Sequence, residues 1–147
     1  MAAIDIHHVN IKTLDLDATV DFYTGVLGMT VVSDRPDIGP GAWLDFNGTQ
    51  VHIMSEHMAL DKNGNYARGG ASVDHLGILA EDFDIMKKTV IDNGIEWRQN
   101  DISPAGLWQL FFHDPNGILI ELNFRLENEP EGARGPDDEN IYFPGTF

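Results

Sequence analysis

An internal repeat constrains this chain more than any other feature. His8-Val9-Asn10-Ile11 returns as His75-Leu76-Gly77-Ile78, and Leu27-Gly28-Met29 as Asn93-Gly94-Ile95. Asn47-Gly48-Thr49-Gln50-Val51-His52-Ile53 returns as Asn116-Gly117-Ile118-Leu119-Ile120-Glu121-Leu122. The matches fall in order, at offsets of 66 to 69 residues. Each is weak alone, but their ordered recurrence predicts two copies of one supersecondary unit.

The local signals agree with two copies. An extended "IDIHHVNIKT" leads to a helix opened by Asp15 or Asp17 as N-cap and closed by Gly28. Three runs of strand length follow, "MTVVSD", "GAWLDFN" and "QVHIMSE", bounded by Gly, Pro, Asn or Asp. After a loop-like "MALDKNGNYARGGAS", the order recurs: strand "SVDHLGILA", helix "DFDIMKKTVIDNG", then strands "IEWRQN", "LWQLFFH" and "ILIELNF". Phe83, Met86 and Val90 form one apolar stripe on that second helix. Each half therefore reads strand, helix, strand, strand, strand.

The last strand carries a puzzle. Side chains alternate along a strand, so Ile118, Ile120, Leu122 and Phe124 share one face of "NGILIELNF". Leu119, Glu121 and Asn123 share the other. A carboxylate amid such apolar residues is costly unless it is paired or bound to a metal. The repeat suggests a resolution. His8 and His75 occupy equivalent places on the first strand of each half, and His52 and Glu121 on the last. Symmetric packing of the halves would bring three imidazoles and one carboxylate towards one point. That donor set suits zinc, nickel, ferrous iron, cobalt or manganese. Each residue taken singly also fits a hydrogen-bonded core or surface role. His7 is expected to point away from His8 by strand alternation, and His57 and His113 read as surface or supporting groups.

Charge and composition narrow the partners. The formal net charge of −15 makes nucleic acid and anionic membrane surfaces poor partners. With no cysteine, any metal site must use His, carboxylate or water. No apolar run has the length of a membrane span, and "MAAIDIHH" has neither a basic nor an apolar leader region. A cytoplasmic protein with a small-molecule substrate is the expectation. The six acidic residues of "RLENEPEGARGPDDENIYFPGTF" read as a solvated extension, with Tyr142, Phe143 and Phe147 as means of docking.

The motifs "HHVNI", "TVDFYTGVLGM", "VHIMS", "VDHLGI" and "HDPNGILIELNF" resemble the vicinal oxygen chelate superfamily. That superfamily includes glyoxalase I, extradiol dioxygenases, bleomycin-resistance proteins, fosfomycin-resistance enzymes and methylmalonyl-CoA epimerase. The likeness spans residues 4 to 124. It implies an α+β fold of two paired βαβββ modules, about 4–56 and 72–124, forming a cupped, mostly antiparallel half-open barrel around a metal. Residues 1–126 would then form one domain and 127–147 an acidic tail. A homodimer is implied too, and the two modules of one site come from one chain or from two.

Carried over by position, the resemblance implies His8, His52, His75 and Glu121 as ligands of one divalent metal. Substrate oxygens would chelate that metal, which acts as a Lewis acid on a developing enolate. A glyoxalase-like lyase or isomerase would use Glu121 as general base and His52 as ligand or acid–base partner. An extradiol-type dioxygenase would place His8, His75 and Glu121 on iron and leave His52 to move protons; its usual tyrosine, ten residues before the glutamate, is Phe111 here. A metal-free binding protein for a small molecule is the third implication.

The substrate lining reads more loosely. Trp43 and Asp45 share one strand face, and Trp108, Leu110 and Phe112 another. Both sets suit either an apolar substrate or the packing of sheet on helix. Phe111 joins them as a lining candidate, while Lys12, Arg35, Arg68, Arg98 and Arg125 are candidate anion anchors.

Overall fold

The computed structural model describes residues 6–70 and 73–147. The expected module starts at residues 4 and 72 lie outside these. The chain divides into two compact units, Met1–Gly69 and Gly70–Phe147.

The first unit contains β1 (His8–Lys12), α1 (Leu16–Gly25), β2 (Thr30–Val31), β3 (Gly41–Phe46) and β4 (Thr49–Met54). Its sheet runs β1-β4-β3-β2, with β1 parallel to β4 and the other pairs antiparallel. Asp15 caps α1, its carboxylate accepting from Ala18 N–H, which decides between the two expected caps. Phe22 and Tyr23 of α1 are buried with Ile11, Leu44, Val51 and Ile53. The strand register puts those four on one sheet face, leaving His8, Asn10, Trp43, Gln50 and His52 on the other.

The second unit repeats this plan. It contains β5 (His75–Ala80), α2 (Phe83–Asp92), β6 (Trp97–Ile102), β7 (Leu107–His113) and β8 (Leu119–Arg125). The order β5-β8-β7-β6, with only β5 and β8 parallel, matches the first sheet strand for strand. The register repeats as well. Asn10 stands opposite His52, as Gly77 stands opposite Glu121. Phe83 anchors α2 through edge contacts with Phe124 and Trp108. Ile120, Leu122, Phe124, Leu110 and Phe112 complete that buried face. The α+β architecture of two βαβββ modules is therefore present, with both sheets open.

The C-terminal segment departs in part from the sequence reading. It docks on the second unit through Tyr142 and Phe147, as its aromatic residues suggested, but it is not simply a solvated extension. Glu129 caps α2, its carboxylate accepting from Asp82 N–H at 3.1 Å and Phe83 N–H at 2.8 Å. Asp84 in the first turn of α2 accepts from Arg134 and Gly135 N–H. Gly135 has φ +70°, and a Cβ there would stand 2.6 Å from the Trp108 ring, so only glycine fits. Ile141 then pairs in parallel with Gln99 of β6, closing the sheet edge. Glu129, which looks like solvated charge in the sequence, serves as a helix cap.

Candidate metal centre and active face

In the second unit, Glu121 rises from β8 on the face opposite α2. His75 Nε2 stands 3.3 Å from Glu121 Oε2, and the other ring nitrogen, Nδ1, is 2.8 Å from the Asp74 carboxylate. Glu121 Oε1 accepts from Asn123 Nδ2 at 2.8 Å, and Asn123 Oδ1 accepts from Gln109 Nε2 at 3.0 Å. The chain Gln109–Asn123–Glu121–His75–Asp74 fixes both side chains in orientation. The Glu121 side chain retains 15% exposure. The puzzle of a carboxylate in an apolar strand resolves here: alternation puts it on the polar face, where it is paired and hydrogen-bonded.

In the first unit, the equivalent positions carry His8 and His52. Their rings stack with centroids 4.0 Å apart, and Trp43 stacks on the other side of His52 at 4.3 Å. His52 Nε2 is 2.8 Å from Gln50 Oε1, and therefore donates to it. His8 Nδ1 is 2.8 Å from His7 Nδ1, one ring donating to the other. This corrects the expectation that His7 points away. β1 begins at His8, so strand alternation does not govern its predecessor.

Arg35 lies 6.0 Å from the Trp43 ring centre and donates to Gly39 O at 2.8 Å. Burial, reinforced by His8, His7 and Arg35, holds the His52 imidazole below its ordinary pKa. His52 is thus neutral near pH 7, with a lone pair available. In chelator-treated protein, its ring protons are expected to titrate with a midpoint below 6.5, and Arg35→Gln should raise that midpoint. An NMR titration checks this, and a midpoint at or above 6.5 would refute the burial argument. The sign for stability follows. As pH falls from 6.5 towards the lowered midpoint, the unfolded chain takes the proton first, so folding stability declines across that window.

The residues fit a divalent metal unequally. Ligand atoms bound at about 2.0–2.2 Å sit about 3 Å from one another around a first-row ion, and the His75–Glu121 spacing matches. Stacked rings do not converge their lone pairs, so His8 or His52 must turn about its Cβ–Cγ bond to serve as a ligand. Within neither unit do three or more His, Asp or Glu among the described residues gather as a cluster. Each unit offers a pair.

The lining candidates separate by face. Phe111 stands opposite Glu121 in register and shares its face. Trp43 shares the His52 face. Trp108 lies on the opposite face, packed against Phe83 and Gly135, so it builds core. Arg98 shares the Phe111 face, but its guanidinium is held by Trp97 O and Glu96 and lies 4.5 Å from the Phe147 ring centre. Lys12 reaches Leu60 O at 3.5 Å, and His113 stacks at a tilt on Phe147.

Sequence reasoning missed Asn123, Gln109 and Asp74 as supports, although alternation already placed Asn123 beside Glu121. It also missed the position of Tyr142, whose ring stacks on Phe111 at 3.9 Å with a 10° interplanar angle.

Comparisons agree with this architecture. Glyoxylase I 4 of Arabidopsis thaliana is 26% identical over 120 residues, covering 80% of this chain and 68% of that protein. The solved structure of lactoylglutathione lyase from Agrobacterium tumefaciens is 20% identical with a TM-score of 0.64, covering 84% of this chain and 96% of the other. An antibiotic binding protein from Streptomyces, TnmS3, is 19% identical with a TM-score of 0.64, covering 85% and 98%. At these identities the structural likeness shows the fold alone. Residues 5–122 match the sequence profile of one family, and with its doubled βαβββ plan the chain belongs to the Glyoxalase/Bleomycin resistance protein/Dioxygenase superfamily.

Proposed function

We propose that this protein is a metal-dependent enzyme of glyoxalase type, a lyase or isomerase acting on a small substrate with adjacent oxygens. His8 and His52 from one module, and His75 and Glu121 from another, would hold one divalent ion (iron, zinc, nickel, cobalt or manganese). Such an ion, when bound, supplies Lewis acidity to substrate oxygens. The observation that carries the reading is the His75–Glu121 pair, spaced for shared ligation and locked by Asn123, Gln109 and Asp74.

Glu121 Oε2 would take a proton from the carbon beside the substrate oxygens and return it, while Asn123 holds Oε1 still. His52, kept neutral by burial, would accept or pass a proton at its free nitrogen. The relative named as a glyoxalase supports this reading.

A second reading draws on the His52 ring, which is bonded to Gln50 and stacked on His8 instead of converging with it. His8, His75 and Glu121 would then form the two-histidine, one-carboxylate triad of an iron dioxygenase, and His52 would shuttle protons.

Metal analysis tests both. Protein purified without chelator or affinity-tag nickel should carry about one equivalent of metal, lost in His75→Ala without unfolding. A folded wild type that stays metal-free after reconstitution overturns the proposal. Oxygen uptake with catechols would favour the second reading, and isomerisation under anaerobic conditions the first.

A further inference from the structure

We propose that Tyr142 is a substrate-contacting residue of the Glu121 site, its phenol donating a hydrogen bond to an oxygen of the substrate held beside that carboxylate. The inference rests on reading the Glu121 face as the active face.

The sheet register leads to it. Ile141 pairs in parallel with Gln99, whose side chain points to the α2 side and meets Lys87 there. Alternation then sends the neighbouring Tyr142 to the other face. On that face it meets Phe111, which stands opposite Glu121. The parallel stack at 3.9 Å fixes the ring plane.

The backbone is pinned as firmly. Gln99 N–H donates to Asn140 O at 2.8 Å, and Tyr142 N–H donates to Gln99 O at 3.0 Å. The Gln99 amide, fully buried, donates to Asp137 O and Glu139 O. Five residues after Tyr142 the chain delivers Phe147, after Phe143 and Pro144, onto Arg98 and His113 of the same face. The segment therefore builds one wall of the Glu121 face.

The surroundings of the phenol agree. Burial, then the Asp74 and Glu121 charges, raise its pKa above the ordinary tyrosine value. The raised value keeps the phenol protonated, and so a donor. Phe111, the residue opposite Glu121, has no polar atom to offer. The docked segment supplies the hydroxyl that β7 lacks.

The test uses the full-length, metal-reconstituted protein and 4-nitrocatechol, which carries two adjacent oxygens and reports their ionisation by visible absorbance. Wild type, Tyr142→Phe, Glu121→Gln and the exposed-residue control Phe143→Leu are titrated. Tyr142→Phe keeps the stack on Phe111 and removes only the hydroxyl. It should bind about tenfold more weakly, the worth of one hydrogen bond, and shift the absorption band of the bound probe. Phe143→Leu should match wild type, and Glu121→Gln should lose binding.

If Glu121→Gln loses binding while Tyr142→Phe matches wild type in affinity and band position, the Tyr142 proposal is overturned and the active face stands. If wild type does not bind, or Glu121→Gln binds normally, the active-face reading falls and takes Tyr142 with it. Limited proteolysis of Tyr142→Phe closes the remaining path. Weakened binding with a cleaved C-terminal segment would assign Tyr142 a structural role and overturn the proposal.

Discussion

Gln99→Leu is expected to lower folding stability by about 2–4 kcal/mol and to release the C-terminal segment to proteases. Gln99 is fully buried, and its side chain has no water to fall back on. Its amide nitrogen donates to Asp137 O, Asp137 Oδ1 and Glu139 O, while its oxygen accepts from Lys87 Nζ at 3.0 Å. Leucine matches its size and deletes all four contacts. Each net hydrogen bond is worth about 1 kcal/mol, and a buried partner left alone costs about 1–3 kcal/mol. Asp137 and Glu139 are exposed enough to recover water, which holds the sum below the upper limit.

Gln99→Glu is the sharper comparison. It preserves shape and the Lys87 partner, but turns the donor into an oxygen facing two carbonyls and a carboxylate. It should destabilise at least as much, and cleavage should begin beyond residue 126. Denaturant midpoints and a protease time course read both effects. Wild-type stability in Gln99→Glu would show that this amide does not anchor the segment.

Legibility in the sequence followed the range of the forces involved. The doubled βαβββ order was readable because alternation and helical stripes are local, and because β7 began and ended where "LWQLFFH" does. The repeat even fixed equivalent positions, so His52 and Glu121 could be matched before any strand pairing was known. Face assignments failed where they depended on a neighbour. Trp108 was ambiguous until Phe83 and Gly135 packed against it. Arg98 looked free until Glu96 and Phe147 occupied its guanidinium. The C-terminal segment was least legible. Its docking depends on Glu129 capping a helix 46 residues upstream and on a buried glutamine donating to its turn. Neither contact leaves a pattern within a short window.

Asn123→Ala should reduce metal affinity by about 10- to 100-fold, the usual effect of losing a partner that orients a ligand, while leaving His75 and Glu121 in place. Asn123 touches Glu121 at Oε1, away from the oxygen that faces His75. Its amide therefore decides which carboxylate oxygen is free and which way it points. Without it, Glu121 gains rotamers that must be frozen again when an ion binds, and it loses a charge-assisted hydrogen bond of about 1.5–3 kcal/mol. Gln109 acts one step further out, through Asn123 Oδ1. Gln109→Ala should therefore weaken binding less than Asn123→Ala, and adding it to Asn123→Ala should cost little more, because both act through one carboxylate. Competition with a chromophoric chelator measures the series. Wild-type affinity in Asn123→Ala would mean that Glu121 needs no orientation. Additive losses in the double variant would mean that the two amides do not act as one relay.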